Sequence, residues 1–355
     1  MSEPLVSIIV DNYNYARFLP QSIESALAQT YARVEVIVVD DASTDGSRKV
    51  IERYAQRVMP VLLRTNGGQA ASFNAGFRAS RGDIVMFLDA DDWLYPQAVE
   101  RVVAAWQPGQ SKTHFRLDLV DADGTWIDVH PAPEVAFDSG DVLPQLFDHG
   151  RYETVVTTGN AFARAALEQN MPIPEEAFRL AADGYLSIVV PFHGPVVAIE
   201  ERLGAYRDHG ANAYASGAPS DMAAFCARTR KRLEHDRQRD LTLRAKASAA
   251  RRVPAKPPYL RDPMHIELRI ASLRLDPVGH PFRDDQPLLL AFRGMVASRR
   301  ASLPWSRRAL LAVWFPIAAA SPYFLASRAI RWKMMPANRP ANIDRWLKWA
   351  RRVLL

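Results

Sequence analysis

Over the first hundred residues, short unbroken apolar runs alternate with segments whose apolar residues recur at helical spacing. The runs are Val6–Val10, Val34–Val39, Val58–Leu63 and Ile84–Leu88. Their length, β-branched content and polar bounds predict strands buried on both faces of a parallel sheet. Between them, Phe18, Ile23, Ala26 and Leu27, then Val50, Ile51 and Tyr54, then Phe73, Phe77 and Ala79 mark helix faces. Ser43-Thr44-Asp45-Gly46-Ser47 supplies one helix start, and Asn66-Gly67-Gly68-Gln69 a turn into the next. This alternation predicts a right-handed, doubly wound α/β sheet.

After Pro96 and a helix through Val99, Val102, Val103 and Trp106, the texture changes. Thr113–Val120 and Trp126–Val129 flank Asp121-Ala122-Asp123-Gly124, a β-hairpin pattern. Thr154–Phe162 is a further strand candidate. Phe178–Val190 reads as a helix with Asp183 in its first turns, and a second apolar run follows at Pro195–Ile199. From about Met222 the chain turns helical and basic, with a proline-rich joint at Pro254–Pro258.

Charge divides the chain at the same place. Of 45 Lys+Arg and 39 Asp+Glu, 28 and 10 lie from Asp221 onward, which leaves 17 and 29 before it. An acidic first part and a basic second part point to different partners for each. The 355 residues are ample for a core. The single Cys226 excludes internal disulfides and fits a reducing compartment. The apolar run from Leu5 to Val10 is too short for a signal-peptide core, so the front of the chain is expected on the cytoplasmic side.

Three predicted strand ends carry carboxylates: Asp11, then Asp40 and Asp41, then Asp89, Asp91 and Asp92. In doubly wound sheets ligands sit beyond the carboxyl ends of the strands. Like charges this close repel, and a divalent cation would remove that cost. Hard oxygen ligands suit Mg²⁺ or Mn²⁺. The alternative is a loop in which one Asp caps a helix and the others are solvated. The turn after the first strand lacks Gly-x-Gly-x-x-Gly, which excludes a dinucleotide-binding domain. No Gly-x-x-x-x-Gly-Lys-Ser/Thr occurs, so a P-loop ATPase is excluded too.

Val6-Ser-Ile-Ile-Val followed by Tyr13-Asn14, Gln29-Thr30-Tyr31, Val38-Val39-Asp40-Asp41-Ala42-Ser43-Thr44-Asp45-Gly46-Ser47, Asn74-Ala75-Gly76 and Leu88-Asp89-Ala90-Asp91-Asp92 resemble, in order and spacing, the family 2 glycosyltransferases. The resemblance runs from about Pro4 to Asn212, with Asp11 where the family usually has Pro. It implies a GT-A fold, a doubly wound Rossmann-like mixed sheet, with a helical basic C-terminal extension. Residues 1–221 would form the catalytic domain, with a nucleotide-binding half about 1–112 and an acceptor half about 113–221. Residues 222–355 would be the membrane-associated part. The implied activity is inverting, metal-dependent transfer from a nucleotide-sugar donor.

Asn12, Tyr13, Asp41, Asn66, Gln69, Asp89 and Arg207 would bind the donor. Tyr13 would stack on the nucleobase. Asp41 would accept the base's N–H, favouring uridine or thymidine, and Asn66 to Gln69 would lie near the diphosphate. Asp91, supported by Asp89, would hold the metal, while Asp92 is left as a structural residue. Asp183 would be the catalytic base, with Glu175 and Glu176 as weaker candidates. Tyr206-Arg207-Asp208-His209 with Asn212 resembles the family's Tyr-Arg-x-His-x-x-Asn and would bring a cation to the diphosphate. Helix capping remains open for Asp40, Asp41 and Asp183, turn chemistry for Gly67 and Gly68, and a salt-bridged surface turn for Arg207.

In the basic part, Ala309–Ser327 is uncharged over nineteen residues, but Pro316 and Pro322 favour an interfacial or re-entrant segment over a span. Asn342–Leu355 places Ile343, Trp346, Leu347, Ala350, Val353 and Leu354 on one helix face and Arg345, Lys348, Arg351 and Arg352 on the other. That is the composition of a membrane-surface helix, with packing on the body or in an oligomer as the alternative. Nucleic acid is not expected, for want of a reader fold. The expected acceptor is a glycan or a lipid-linked sugar at the cytoplasmic face of the cell membrane. The rival readings are a nucleotidyltransferase of sugar activation and an inactive membrane-bound scaffold.

Overall fold

The computed structural model describes residues 3–210, 221–251, 258–300 and 304–335. Asn212, the Asn342–Leu355 helix and residues 254–257 of the proline-rich joint lie outside them. Two compact units emerge: the described residues of Met1–Leu146 and Arg151–Ser216, and those of Phe147–Gly150 and Gly217–Leu355.

The first unit runs β1 (Val6–Asn12), α1 (Leu19–Leu27), β2 (Val34–Asp40), α2 (Ser47–Tyr54), β3 (Met59–Leu62), α3 (Gln69–Ala79), β4 (Ile84–Asp89), β5 (Trp93–Leu94), α4 (Ala98–Ala104), β6 (Lys112–Val120), β7 (Trp126–His130), α5 (Leu143–His149), β8 (Asn160–Ala163), α6 (Arg164–Glu168), α7 (Ala182–Val189) and β9 (Val196–Arg207). Its strands form one sheet in the order β3-β2-β1-β4-β8-β6-β9-β5, with β7 on β6. The β3-β2-β1-β4 half is parallel, as the unbroken apolar runs predict. The rest is mixed: β8 runs antiparallel to β4 and β6, β9 parallel to β6, and β5 antiparallel to β9.

The apolar residues of β1, β2 and β4 are buried, because helices cover the sheet. Phe73 of α3 stacks on Phe87 of β4 with ring centroids 3.8 Å apart. Gly76 lets α3 approach β1, since a Cβ there would stand 2.3 Å from Ile9 Cγ2. The expected hairpin is β6–β7. The expected Thr154–Phe162 strand is shorter: residues Thr157–Gly159 make a 3-10 turn and only Asn160–Ala163 pairs. Ser43 is not a helix cap; α2 begins at Ser47, whose N–H donates to Asp45 Oδ1 at 2.9 Å.

The second unit is helical: α8 (Met222–Ala249), α9 (Pro263–Leu275), α10 (Pro287–Arg300), α11 (Trp305–Ala320) and α12 (Tyr323–Met334). Its core gathers Phe225, Ile266, Ile270, Leu290, Leu311, Phe315 and Ile330. The uncharged Ala309–Ser327 stretch is therefore two helices broken at Ser321-Pro322, with one side of α11 packed into this core. No helix among the described residues is long and apolar enough to cross a membrane.

Candidate active site

β1, β2 and β4 end side by side, and their register sets Asp11 opposite Asp89 and Asn12 opposite Asp40. The carboxylates crowd together, which disfavours their charged forms. Burial, then the charges of Asp91 and Asp183, push Asp89 up to about 7. Burial, then Asp89 and Asp91, hold Asp11 well above the usual carboxylate range, and its Oδ1 is buried with no hydrogen-bond partner among the described residues. Asp92 is raised by burial and by Asp91 and Asp89. It accepts from Thr158 Oγ1 at 2.5 Å and from Arg207 N at 2.9 Å, so it ties the end of β4 to the rest of the sheet.

Two side chains at the end of β9 and just beyond it meet the cluster. His209 Nε2 lies 2.9 Å from Asp91 Oδ2, its ring stacked on Phe18 and edge-on to Tyr15. Arg207 donates from Nε to Asp91 O at 2.9 Å, from one terminal nitrogen to Ala122 O at 2.9 Å and from the other to Gln21 Oε1 at 2.7 Å. Its guanidinium also lies over Phe18 and Trp93. The side chain is 3% exposed and braces β9 against the loops around the carboxylates.

Three other expected donor contacts are braces as well. Asn12, 1% exposed, donates from Nδ2 to Asp40 Oδ1 at 3.0 Å and to Ser43 Oγ at 3.1 Å. Asn66 donates to Asp41 O at 3.2 Å, while its own carbonyl oxygen accepts from Arg179 at 2.9 Å. Gln69 uses both ends of its amide: Nε2 donates to Asp89 Oδ1 at 3.1 Å and Thr157 Oγ1 at 3.3 Å, and Oε1 accepts from Ala182 N at 3.0 Å.

Gln69 thus ties the strand-end carboxylates to the first turn of α7, where Asp183 stands. Asp183 accepts from Gly184 N at 2.8 Å, and its charge is felt at Asp89. Glu175 is instead held by Asn74 Nδ2 at 3.0 Å.

Asp41 is 2% exposed and accepts from Gly67 N at 2.7 Å and Gly68 N at 2.6 Å. Burial raises its pKa although both N–H donors and Arg179 pull it down. Each oxygen keeps a second lone pair for a ligand donor. Gly68 is required here, since its φ is +81° and a Cβ would meet the Arg179 carbonyl at 2.3 Å. Tyr13, 43% exposed, presents its ring beside this turn-rich end of β1. Arg179, Thr157 and Thr158 are site residues that sequence reasoning missed, while His209 was named only as part of the Tyr206–His209 motif, without its contact to Asp91. For His209 a signal exists: it follows Arg207 at strand spacing, on the same side of the chain.

The donor set fits a hard cation: Asp89 is held against ionisation by burial and by the neighbouring charges of Asp91 and Asp183, and a positive ion beside the two carboxylates would relieve it. Among the described residues no three His, Cys, Asp or Glu side chains enclose a metal ion. Asp91 and Asp89 would therefore share it with donor phosphates and water.

Comparison with known proteins adds four findings. Residues 7–127 match the family model described as Glycosyl transferase family 2. An uncharacterized glycosyltransferase of Nostoc sp. (strain PCC 7120) is 37% identical over 220 residues, 60% of this chain and 67% of that protein. A putative teichuronic acid biosynthesis glycosyltransferase of Bacillus subtilis is 30% identical over 142 residues, which span 38% of this chain and 56% of that protein. A crystal structure of S. aureus TarS in complex with UDP-GlcNAc aligns with a TM-score of 0.54 over 93% of this chain and 91% of that one. At 17% identity this likeness shows the fold, which is GT-A.

Proposed function

The chain belongs to glycosyltransferase family 2, and we propose that it moves a sugar, with inversion, from a uridine-diphosphate donor to a hydroxyl of a lipid-linked or polysaccharide acceptor. The observation that carries this reading is the Gln69 bridge. It couples Asp89, one of the two carboxylates placed for a cation, to Ala182 at the start of α7, the helix whose first turn carries Asp183. A leaving group and an attacking hydroxyl need opposite help, and the two ends of this bridge offer it.

In this reading Tyr13 stacks on the nucleobase and Asp41, pinned by the Gly67 and Gly68 N–H groups, accepts the base N–H. Asp91 and Asp89 would hold Mg²⁺ or Mn²⁺, and the cation would supply positive charge against the departing nucleoside diphosphate. Asp183 takes the acceptor hydroxyl proton as that oxygen bonds to the anomeric carbon and the bond to the diphosphate breaks. The membrane setting of the acceptor is supported by the basic composition after Asp221. The relative named for teichuronic acid biosynthesis supports a polymer acceptor.

Family membership sets aside the nucleotidyltransferase and scaffold alternatives. Asp183→Asn should lower transfer by about 10²- to 10⁴-fold, measured with a glycan acceptor, while calorimetry shows unchanged donor binding. Full activity in that variant would remove Asp183 from the base role.

A further inference from the structure

The helical unit carries a feature that sugar transfer does not use. Only four residues separate α10 from α11, and two separate α11 from α12. Gly294 of α10 lies against the Phe315 ring of α11, and Trp314 Nε1 donates to Ala329 O of α12 at 3.2 Å. Each connected pair is therefore antiparallel. The start of α10, the end of α11 and the start of α12 meet at one end of the layer. There Leu288, Leu289 and Phe292 are 66%, 42% and 61% exposed, and Tyr323, Phe324 and Leu325 are 62%, 58% and 43% exposed. Exposed large apolar residues scattered singly are ordinary; six at one end are not.

We propose that this end seats on the surface of an anionic lipid bilayer. Charge selects that occupant. Within α10, α11 and α12 there is no Asp or Glu, and the cations that stand nearest the apolar tip are Arg293 and Arg328. Arg293 follows Phe292 directly, and Arg328 stands one turn beyond Leu325, placed to reach headgroups while the apolar tip enters the acyl boundary. Tyr and Phe suit that depth, and each cation near an anionic surface adds about 1 kcal/mol. A nucleic acid would meet cations at the centre of its surface, where this one has hydrocarbon. Among the described residues no helix is long and apolar enough to cross a membrane, and the proposed contact is through this exposed end. The inference deepens the membrane setting proposed for the acceptor and assigns it to particular residues.

The test is co-sedimentation of the full chain with vesicles of phosphatidylcholine alone or mixed with phosphatidylglycerol. The wild type should bind the mixed vesicles, less so in high salt, and bind pure phosphatidylcholine weakly. Tyr323→Ser/Phe324→Ser/Leu325→Ser should weaken binding by about tenfold or more, and Arg293→Gln/Arg328→Gln should erase the preference for anionic lipid. Circular dichroism and calorimetric UDP binding should be unchanged in both variants. Wild-type-like binding of the triple variant would overturn the proposal. So would a wild type that ignores vesicles but forms a dimer which the triple variant abolishes, or that binds a nucleic acid instead. Loss of UDP binding by the wild type with vesicle binding intact would count against the transferase reading and leave this surface standing.

Discussion

The two units handle charge in opposite ways. In the helical unit, buried ions are matched. Arg269 grips Asp285 through Nε at 2.7 Å, His280 Nε2 lies 3.0 Å from the same carboxylate, His265 lies 3.0 Å from Asp236, and Lys333 lies 2.6 Å from Glu267. In the α/β unit carboxylates are gathered at the strand ends, and burial with the neighbouring charges pushes Asp11, Asp89 and Asp92 up the pH scale. Matched charge serves architecture. Gathered charge of one sign is held at a cost, which in the proposed reading a cation beside the donor phosphates relieves.

Breaking a matched pair should cost most in stability. Arg269→Ala leaves the Asp285 side chain, 5% exposed, without its guanidinium and should destabilise the helical unit by about 3–5 kcal/mol in urea unfolding.

A smaller effect separates the units by pH. The Asp89 carboxyl is raised from 3.8 to about 7, so its contribution is full at low pH and is lost as pH rises through about 7. His235 is pushed down from 6.5 to about 4 by burial and then by Arg239, so its contribution is present above 6.5 and lost as pH falls towards 4. Hydrogen exchange followed from pH 4 to pH 8 should show the α/β unit loosening upward and the helical unit loosening downward. Mg²⁺ or Mn²⁺ should suppress the first change only.

The smallest expected effect on stability is at Tyr13. Tyr13→Ala removes an exposed ring, so the thermal midpoint should hold while donor binding weakens by about 1–3 kcal/mol, read by calorimetry.

The gathered carboxylates were legible in the sequence because strand ends follow from apolar runs, and Asp11, Asp41, Asp89 and Asp91 punctuate those runs. The GT-A fold was legible for the same reason, through the order of its motifs. The braces were not. Asn12, Gln69 and Arg207 are residue types that bind ligands and frameworks equally well, and only distant partners decide which. Gln69 reaches Asp89 twenty positions on and Ala182 113 positions on, while Arg207 reaches back 186 positions to Gln21. Such separations leave no local pattern. The break of Ala309–Ser327 into two helices was foreshadowed by Pro322, whereas the apolar end it helps to build depends on how the helices turn back on one another.

The central claim is that the gathered carboxylates exist to hold a cation against a nucleotide-sugar diphosphate. Release of nucleoside diphosphate from a panel of UDP- and GDP-sugars, with Mn²⁺ or Mg²⁺ and after chelation, tests it in wild type and Asp91→Asn. The account predicts cation-dependent release from a UDP-sugar, about 10²-fold or more lower in the variant at an unchanged thermal midpoint. Release that survives chelation and is the same in Asp91→Asn would contradict it.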